Sequence, residues 1–248
     1  MRTRTLGATG PAVAELGLGA MGMSDGAYGA SERAESIATV HAALDAGVTL
    51  VDTADFYAMG HNELLLAEAL RGRNRDDYVL SVKFGQLRGP GRAHGGQDAR
   101  PEAVRNFLAY SLTRLGTDHV DIYRPARLDP AVPIEETVGA IKEMVEAGYV
   151  RHIGLSEVDA ATVRRAHAVH PISDLQIEYS LLSRGVEADV LPTCGSWASA
   201  SPRTGCSAAA SSRGTGAPAT PPGPATCAAS ARGSRAATWS TTSRWSRS

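Results

Sequence analysis

Residues 1–194 predict a parallel α/β fold, and the 54 residues after them predict no packed structure. Three observations carry this. Strand-like and helix-like segments alternate in units of about 25 to 35 residues, the pattern of parallel strands joined by crossover helices. No second block with a different periodicity interrupts that alternation before Cys194. Beyond Cys194 the branched apolar residues that build a core disappear. The alternation suits a closed barrel and an open doubly wound sheet equally, while the full length of 248 residues is that of an (α/β)8 barrel, typically about 250.

In chain order, Arg4-Thr5-Leu6, the turn Gly7-Ala8-Thr9-Gly10 and the run Val13 to Leu18 read as a hairpin ahead of the first barrel strand. Helices are predicted over Glu35 to Ala46 and Glu63 to Leu70, with a strand at Leu50-Val51 between them. A second strand runs from Tyr78 to Val82. The glycine-rich stretch Gly85 to Arg100 reads either as a flexible lid over the barrel mouth or as a plain surface loop. The clearest helix is Pro101 to Leu115: Val104, Phe107, Leu108, Leu112 and Leu115 share one face, Pro101 suits a first turn, and Gly116 stands just past the end. Strands at Val120 to Tyr123, Ile153-Gly154-Leu155 and Leu175 to Ile177 are short β-branched runs of the kind buried in parallel sheets. Helices at Ile134 to Ala147, Asp159 to His170 and Glu187 to Cys194 complete the series.

Composition bounds the partners. With 43% hydrophobic and 21% charged residues and a net charge of −1, the chain reads as an ordinary soluble protein. The neutrality is a cancellation, −7 over residues 1–194 against +6 over 195–248. Neither nucleic acid nor a membrane surface is expected as partner. No long apolar run suggests a span or a leader, because Glu15 and several glycines break the stretch Ala12 to Met23, so a cytoplasmic location is expected. No metal is expected: His61, His94, His119, His152, His167 and His170 show no ligand spacing.

The tail uses only Ala, Ser, Thr, Gly, Arg, Pro, Trp and Cys. These are the residue types whose codons can have G or C in the middle position. Two lysines against 17 arginines in residues 1–194 point to GC-rich DNA, where a one-base slip moves a G or C from the third codon position into the middle. The expectation is therefore a tail translated out of frame; a disordered linker and a basic nucleic-acid arm are the other readings.

Chemistry in a parallel α/β protein sits at the carboxyl ends of strands. One such end is Val51-Asp52-Thr53-Ala54, with Tyr57 in the loop beyond; another is Val82-Lys83-Phe84. Lys83 reads either as a snorkelling rim cation or as a cation that lowers the pKa of a nearby phenol, with Asp52 holding it. Gly17-Leu18-Gly19-Ala20-Met21-Gly22 has the glycine spacing of a dinucleotide fingerprint, but no amphipathic helix follows it directly, which disfavours a Rossmann site.

Taken together, Gly17-Leu18-Gly19, Val51-Asp52-Thr53-Ala54-Asp55-Phe56-Tyr57, Glu63, Lys83, Asp121-Ile122-Tyr123, Arg127-Leu128-Asp129-Pro130, Gly154-Leu155-Ser156 and Gln176-Ile177-Glu178-Tyr179 resemble the aldo-keto reductase family over residues 1–194. The resemblance implies an (α/β)8 TIM-type barrel, present here as about six of its eight βα units. It further implies an NADPH cofactor and reduction of a small aldehyde or ketone. Tyr57 would be the general acid, Lys83 would depress its pKa, and Asp52 would pair with Lys83. Ala20, Met21, Asp52, Ser156, Glu157 and Gln176 fall where that family binds its cofactor.

Two side chains depart from the family pattern. Ala126 stands where the family has a catalytic histidine, and loss of one such donor typically costs about 10²–10³ in rate. Glu157 stands where the family often has Asn or Arg. Arg124 and Arg127 are expected to pair with Asp121 or Asp129. The absent seventh and eighth units would carry the family's phosphate-binding loop and helix, so weak NADPH binding and poor solubility are expected. A non-catalytic nucleotide-binding or interaction protein of the same fold, or an inactive product, is the alternative expectation.

Overall fold

A six-stranded parallel sheet forms the centre of the computed structural model, which describes residues 1–24 and 31–196. The reading of residues 195–248 as an irregular, out-of-frame tail lies outside the described residues, apart from Gly195 and Ser196 at a helix end. A short antiparallel hairpin, β1 (Thr3–Thr5) and β2 (Ala12–Ala14), precedes the sheet. Its strands are β3 (Gly17–Gly19), β4 (Leu50–Ala54), β5 (Val79–Phe84), β8 (Val120–Pro125), β9 (Val150–Ser156) and β10 (Ile172–Gln176). Each strand lies beside the next one in the sequence. An order that never reverses has no switch point, which removes the doubly wound alternative and leaves a barrel-type sheet of six βα units.

The helices are α1 (Arg33–Asp45), α2 (His61–Ala69), α3 (Pro101–Leu115), α4 (Ile134–Glu146), α5 (Ala160–Val169) and α6 (Val190–Ser196). α3 has the predicted bounds because both of its end signals are local: Pro101 opens it and Gly116, at φ +66°, closes it in the left-handed conformation. Asp159 caps α5 by accepting the Thr162 N–H at 2.7 Å. Val104 and Leu108 of α3 and Val138 and Ile141 of α4 pack on Leu80, Val82, Ile153 and Leu155 of the sheet. Phe84 stacks on Tyr123 at 4.3 Å beneath Phe107.

Three local expectations change. The predicted strand Val13 to Leu18 is two strands: Glu15 turns out to bind Arg2 and Arg4, and the chain crosses there from the hairpin to the sheet. The stretch Gly85 to Arg100 holds a second hairpin, β6 (Gln86–Arg88) with β7 (His94–Gln97). Gly91 at φ +69° makes its turn.

The third concerns Arg124, which pairs with neither Asp121 nor Asp129. Its partner is Asp174 of β10, at 2.8 Å. Asp121 instead takes Arg75 at 2.5 Å and the Leu80 N–H at 2.7 Å, and Asp129 accepts the N–H groups of Ala99 and Ala131. Arg127 does not take Arg124's expected role either, since it donates to the Ala126 carbonyl at 2.7 Å. Period-two alternation explains the choice: Ile122 and Arg124 face one side of β8, and Asp121 faces the other. The Arg124–Asp174 pair passes over β9 at Gly154, where a Cβ would lie 2.5 Å from Asp174 Oδ1 and 3.1 Å from Arg124 Cζ. Gly154→Ala is accordingly expected to lower unfolding stability by about 1–3 kcal/mol through overpacking; chemical denaturation with an unchanged midpoint would remove this role for Gly154.

Candidate active site

The carboxyl ends of β4 and β5 bring the sequence-predicted residues together. Ala54 is in register with Lys83, and Lys83 with Arg124, so three neighbouring strands end side by side. Lys83 Nζ donates to Asp52 Oδ2. Ser81 Oγ donates to the other Asp52 oxygen at 2.8 Å, and Arg124 Nη2 donates to Ser81 Oγ at 2.8 Å. With Asp174 added, two cations and two carboxylates form one continuous layer across the sheet, all of them buried. Such a layer tolerates burial only because it is balanced; taking away one member strands another charge in a low-dielectric interior.

Burial works against the Asp52 carboxylate, but the Lys83 ammonium and the Arg124 guanidinium outweigh it and hold its pKa below the ordinary range. Burial also lowers the Lys83 pKa, with Arg124 adding to the effect and Asp52 opposing it. Asp174 is pushed up by burial despite Arg124.

Tyr57 sits beside this layer. Lys83 Nζ lies 5.2 Å from the centre of its ring, over the π face, and Phe56 packs edge-on against the same ring at 5.0 Å. The chain then turns through Ala58 and Met59 at φ +46° and +56°, both left-handed without being glycine. Backbone strain of this kind persists where the surroundings over-determine it. Gly60 supplies part of that constraint, since a Cβ there would meet the Arg114 side chain at 2.8 Å.

Sequence reasoning missed Asn62. This fully buried side chain accepts from Thr53 Oγ1 at 2.6 Å and donates to the Ala20 carbonyl and to Ser24 Oγ. It thereby fixes the turn Ala20–Met23, which carries the predicted Ala20 and Met21, to the end of β4. Nothing in the sequence marks Asn62 off from an ordinary helix-start residue, because its partners Thr53 and Ala20 lie on other elements.

On the far side, Ser156 and Gln176 are register partners at the ends of β9 and β10. Among the described residues neither side chain makes a hydrogen bond to the protein, so a hydroxyl and an amide stand together at the rim, the donor and acceptor set that a carboxamide requires. Glu157 is engaged differently. At φ +54°, it donates its N–H to the Gln176 carbonyl at 2.9 Å, and its carboxylate accepts the Glu178 N–H at 3.0 Å, tying the two strand ends together. Ala126 is buried at the end of β8, with its N–H bound to the Phe84 carbonyl at 2.9 Å. Arg124 cannot stand in for the missing imidazole, because Ser81 and Asp174 hold it within the sheet layer.

The model of the aldo/keto reductase family matches residues 15–197. This chain belongs to the aldo/keto reductase family. The Glycine max protein "Probable aldo-keto reductase 1" is 40% identical over 189 residues, 76% of this chain and 54% of that protein. The chain thus spans about half the length of that relative. Among solved structures, the glycerol dehydrogenase of Gluconobacter oxydans superposes with a TM-score of 0.72 at 25% identity, covering 79% of this chain and 60% of the other. An aldo/keto reductase from Klebsiella pneumoniae, solved with NADP and acetate, gives 0.66 at 32% identity over 80% and 66% of the two chains. Membership makes the chain a relative of oxidoreductases and its sheet a portion of their barrel.

The charge layer can be tested without turnover. Lys83→Met leaves Asp52 buried beside Arg124 alone and is expected to cost about 3–5 kcal/mol, most of it regained in Asp52→Asn/Lys83→Met. Because the folded pKa of Asp52 is depressed, its stabilisation is present above the unfolded value of 3.8 and lost as pH falls toward the folded one. Asp52→Asn should remove that acid-side loss in pH-dependent denaturation; equal slopes in both proteins would contradict the assignment.

Proposed function

We propose that this chain carries the reduction site of an NADPH-dependent aldo-keto reductase acting on a small aldehyde or ketone. The observation that carries the reading is the buried Asp52–Lys83 pair with its ammonium 5.2 Å from the Tyr57 ring, at the ends of β4 and β5. NADPH, when bound, supplies hydride to the carbonyl carbon. Negative charge then grows on the carbonyl oxygen, and a nearby donor must give it a proton. Tyr57 is that donor in this reading. A phenol with an ordinary pKa near 10 releases a proton reluctantly, and the Lys83 charge stabilises the phenolate left behind. Asp52, itself held by Ser81, keeps Lys83 at the strand end where it can do so. Ser156 and Gln176 would hold the nicotinamide carboxamide, and Ala20 and Met21 would line the cofactor from the β3 side. Glu157 would contribute by fixing the β9–β10 rim.

The same reading makes the protein cytoplasmic, with a small-molecule partner rather than nucleic acid or membrane. No helix among the described residues is long and apolar enough to cross a membrane. We also read residues 195–248 as translated out of frame. The family match ends at residue 197, close to the change in composition after Cys194. The nucleotide sequence around codon 194 tests this, and absence of an alternative open frame there would end the idea.

Ala126 favours a second reading, a nucleotide-binding protein of this fold without turnover, because a methyl side chain at that position has no proton to donate to a carbonyl oxygen. The two separate in one assay of NADPH oxidation with a reactive aromatic aldehyde. Reduction is expected in the native chain, lost in Tyr57→Phe without loss of NADPH binding, and raised by about 10²-fold or more in Ala126→His. NADPH binding with no turnover in any of the three proteins would favour the second reading.

A further inference from the structure

The rim beyond Lys83 carries positive charge that its own acids leave unpaired. Past Phe84 the chain enters the β6–β7 hairpin, whose base is closed by the Asp98 N–H donating to the Gly85 carbonyl at 2.9 Å. Residues 85–97 hold Arg88, Arg92 and His94 and no acidic residue. The exposed Arg88 lies over the Phe56 ring at 5.6 Å, and Phe56 packs edge-on against Tyr57 at 5.0 Å. One ring thus stands between the Arg88 guanidinium and Tyr57. Arg88 Nη2 donates to Gln86 Oε1 at 3.0 Å, and among the described residues no carboxylate pairs with it. Arg127, just past the end of the neighbouring strand β8, donates to the Ala126 carbonyl and also has no carboxylate partner among the described residues. The acids of the rim are engaged elsewhere. Asp98 pairs with Arg100, Asp129 accepts the Ala99 and Ala131 N–H groups, Glu157 accepts the Glu178 N–H, and Glu178 accepts from the Ser183 hydroxyl.

We propose that Arg88 is a specificity-determining residue that makes this site select carbonyl compounds bearing a carboxylate, with the carboxylate held at the hairpin while the carbonyl group meets Tyr57. The proposal rests on the reading of Tyr57 as the proton donor, and it names the substrate class of that same site. A guanidinium offers a planar fork of N–H groups that matches the two oxygens of a carboxylate. Resting on Phe56 and tied to Gln86, the Arg88 fork is held in place before a substrate arrives, so less side-chain freedom is lost on binding. Lys83 does not compete for the anion, because Asp52 already neutralises it in the buried layer.

Two physical consequences follow. A neutral aldehyde of the same shape leaves the Arg88 charge in water and gains nothing from it, so the discrimination lies in binding. The pair is open to solvent, which keeps its contribution modest and makes it sensitive to salt. Arg127 adds to the field from the end of β8, and the uncompensated charge raises the local concentration of anions at the mouth. Arg88 nevertheless carries the selection in this account, because its guanidinium is the one placed against the ring that touches Tyr57.

The test is calorimetric binding of 4-carboxybenzaldehyde and of its neutral methyl ester to the full chain at neutral pH, with NADP present in its oxidised form, which has no hydride to give. The native chain should bind the carboxylate about 3- to 10-fold more tightly than the ester, with the preference shrinking as salt is raised. Arg88→Ala should abolish the preference, Arg88→Lys should keep part of it, and Arg71→Ala, an exposed arginine beyond the end of α2, should leave it intact. Should Arg88→Ala fail to fold, Arg88→Gln decides by the same comparison. Equal affinity for the two aldehydes in the native chain, binding of neither, or a preference that survives in a folded Arg88→Ala overturns the assignment. NADPH oxidation with the same two compounds separates this from the functional reading. Turnover of both without preference defeats the role of Arg88 alone, and an Arg88-dependent binding preference without any turnover defeats the functional reading alone.

Discussion

The ion pair between Asp52 and Lys83 constrains everything around it. An ammonium at a buried strand end is stable only beside a carboxylate, and a carboxylate so placed needs further donors. Ser81 supplies one, Arg124 steadies Ser81, and Asp174 balances Arg124. The layer joins β4, β5, β8 and β10, and it crosses β9 at the one position without a side chain, Gly154. The strands accordingly run past their β-branched centres to polar ends, which a hydrophobic count alone would leave in loops.

Tyr57 owes its position to this layer and to the tight turn after it. The ring rests near the Lys83 charge and against Phe56, while Ala58, Met59 and Gly60 bring the chain back toward α2 in conformations that ordinary residues avoid. Asn62 opens α2 and ties it to the Ala20 turn. The two sides of the candidate site therefore share one buried scaffold.

Much of the fold was legible because its signals are local. α3 needs only its apolar stripe, Pro101 and Gly116, and Asp52, Tyr57 and Lys83 declare themselves by spacing and by the scarcity of lysine. What the sequence hid is non-local. Arg124 has Asp121 and Asp129 close by in the chain, yet its partner is Asp174, fifty residues on, selected by the face of β8 on which it stands. Asn62 looks like a helix-start residue until the ends of β3 and β4 are brought together. Gly85 to Arg100 has glycines enough for a loop, and only the pairing of Gln86 with Gln97 makes it a hairpin.

The chain belongs to the aldo/keto reductase family and spans about half of its relative from Glycine max, and the charge layer at its strand ends can be tested directly in this chain. The most direct measurement is the titration of the Lys83 amine by nuclear magnetic resonance with isotope-labelled lysine, made simple by a chain with only two lysines, Lys83 and Lys142. A buried, paired Lys83 should titrate below its ordinary value of 10.5, and lower still in Asp52→Asn, where the opposing charge is gone. An ordinary value in both proteins would mean that the amine is open to water and unpaired, and the charge layer would not exist.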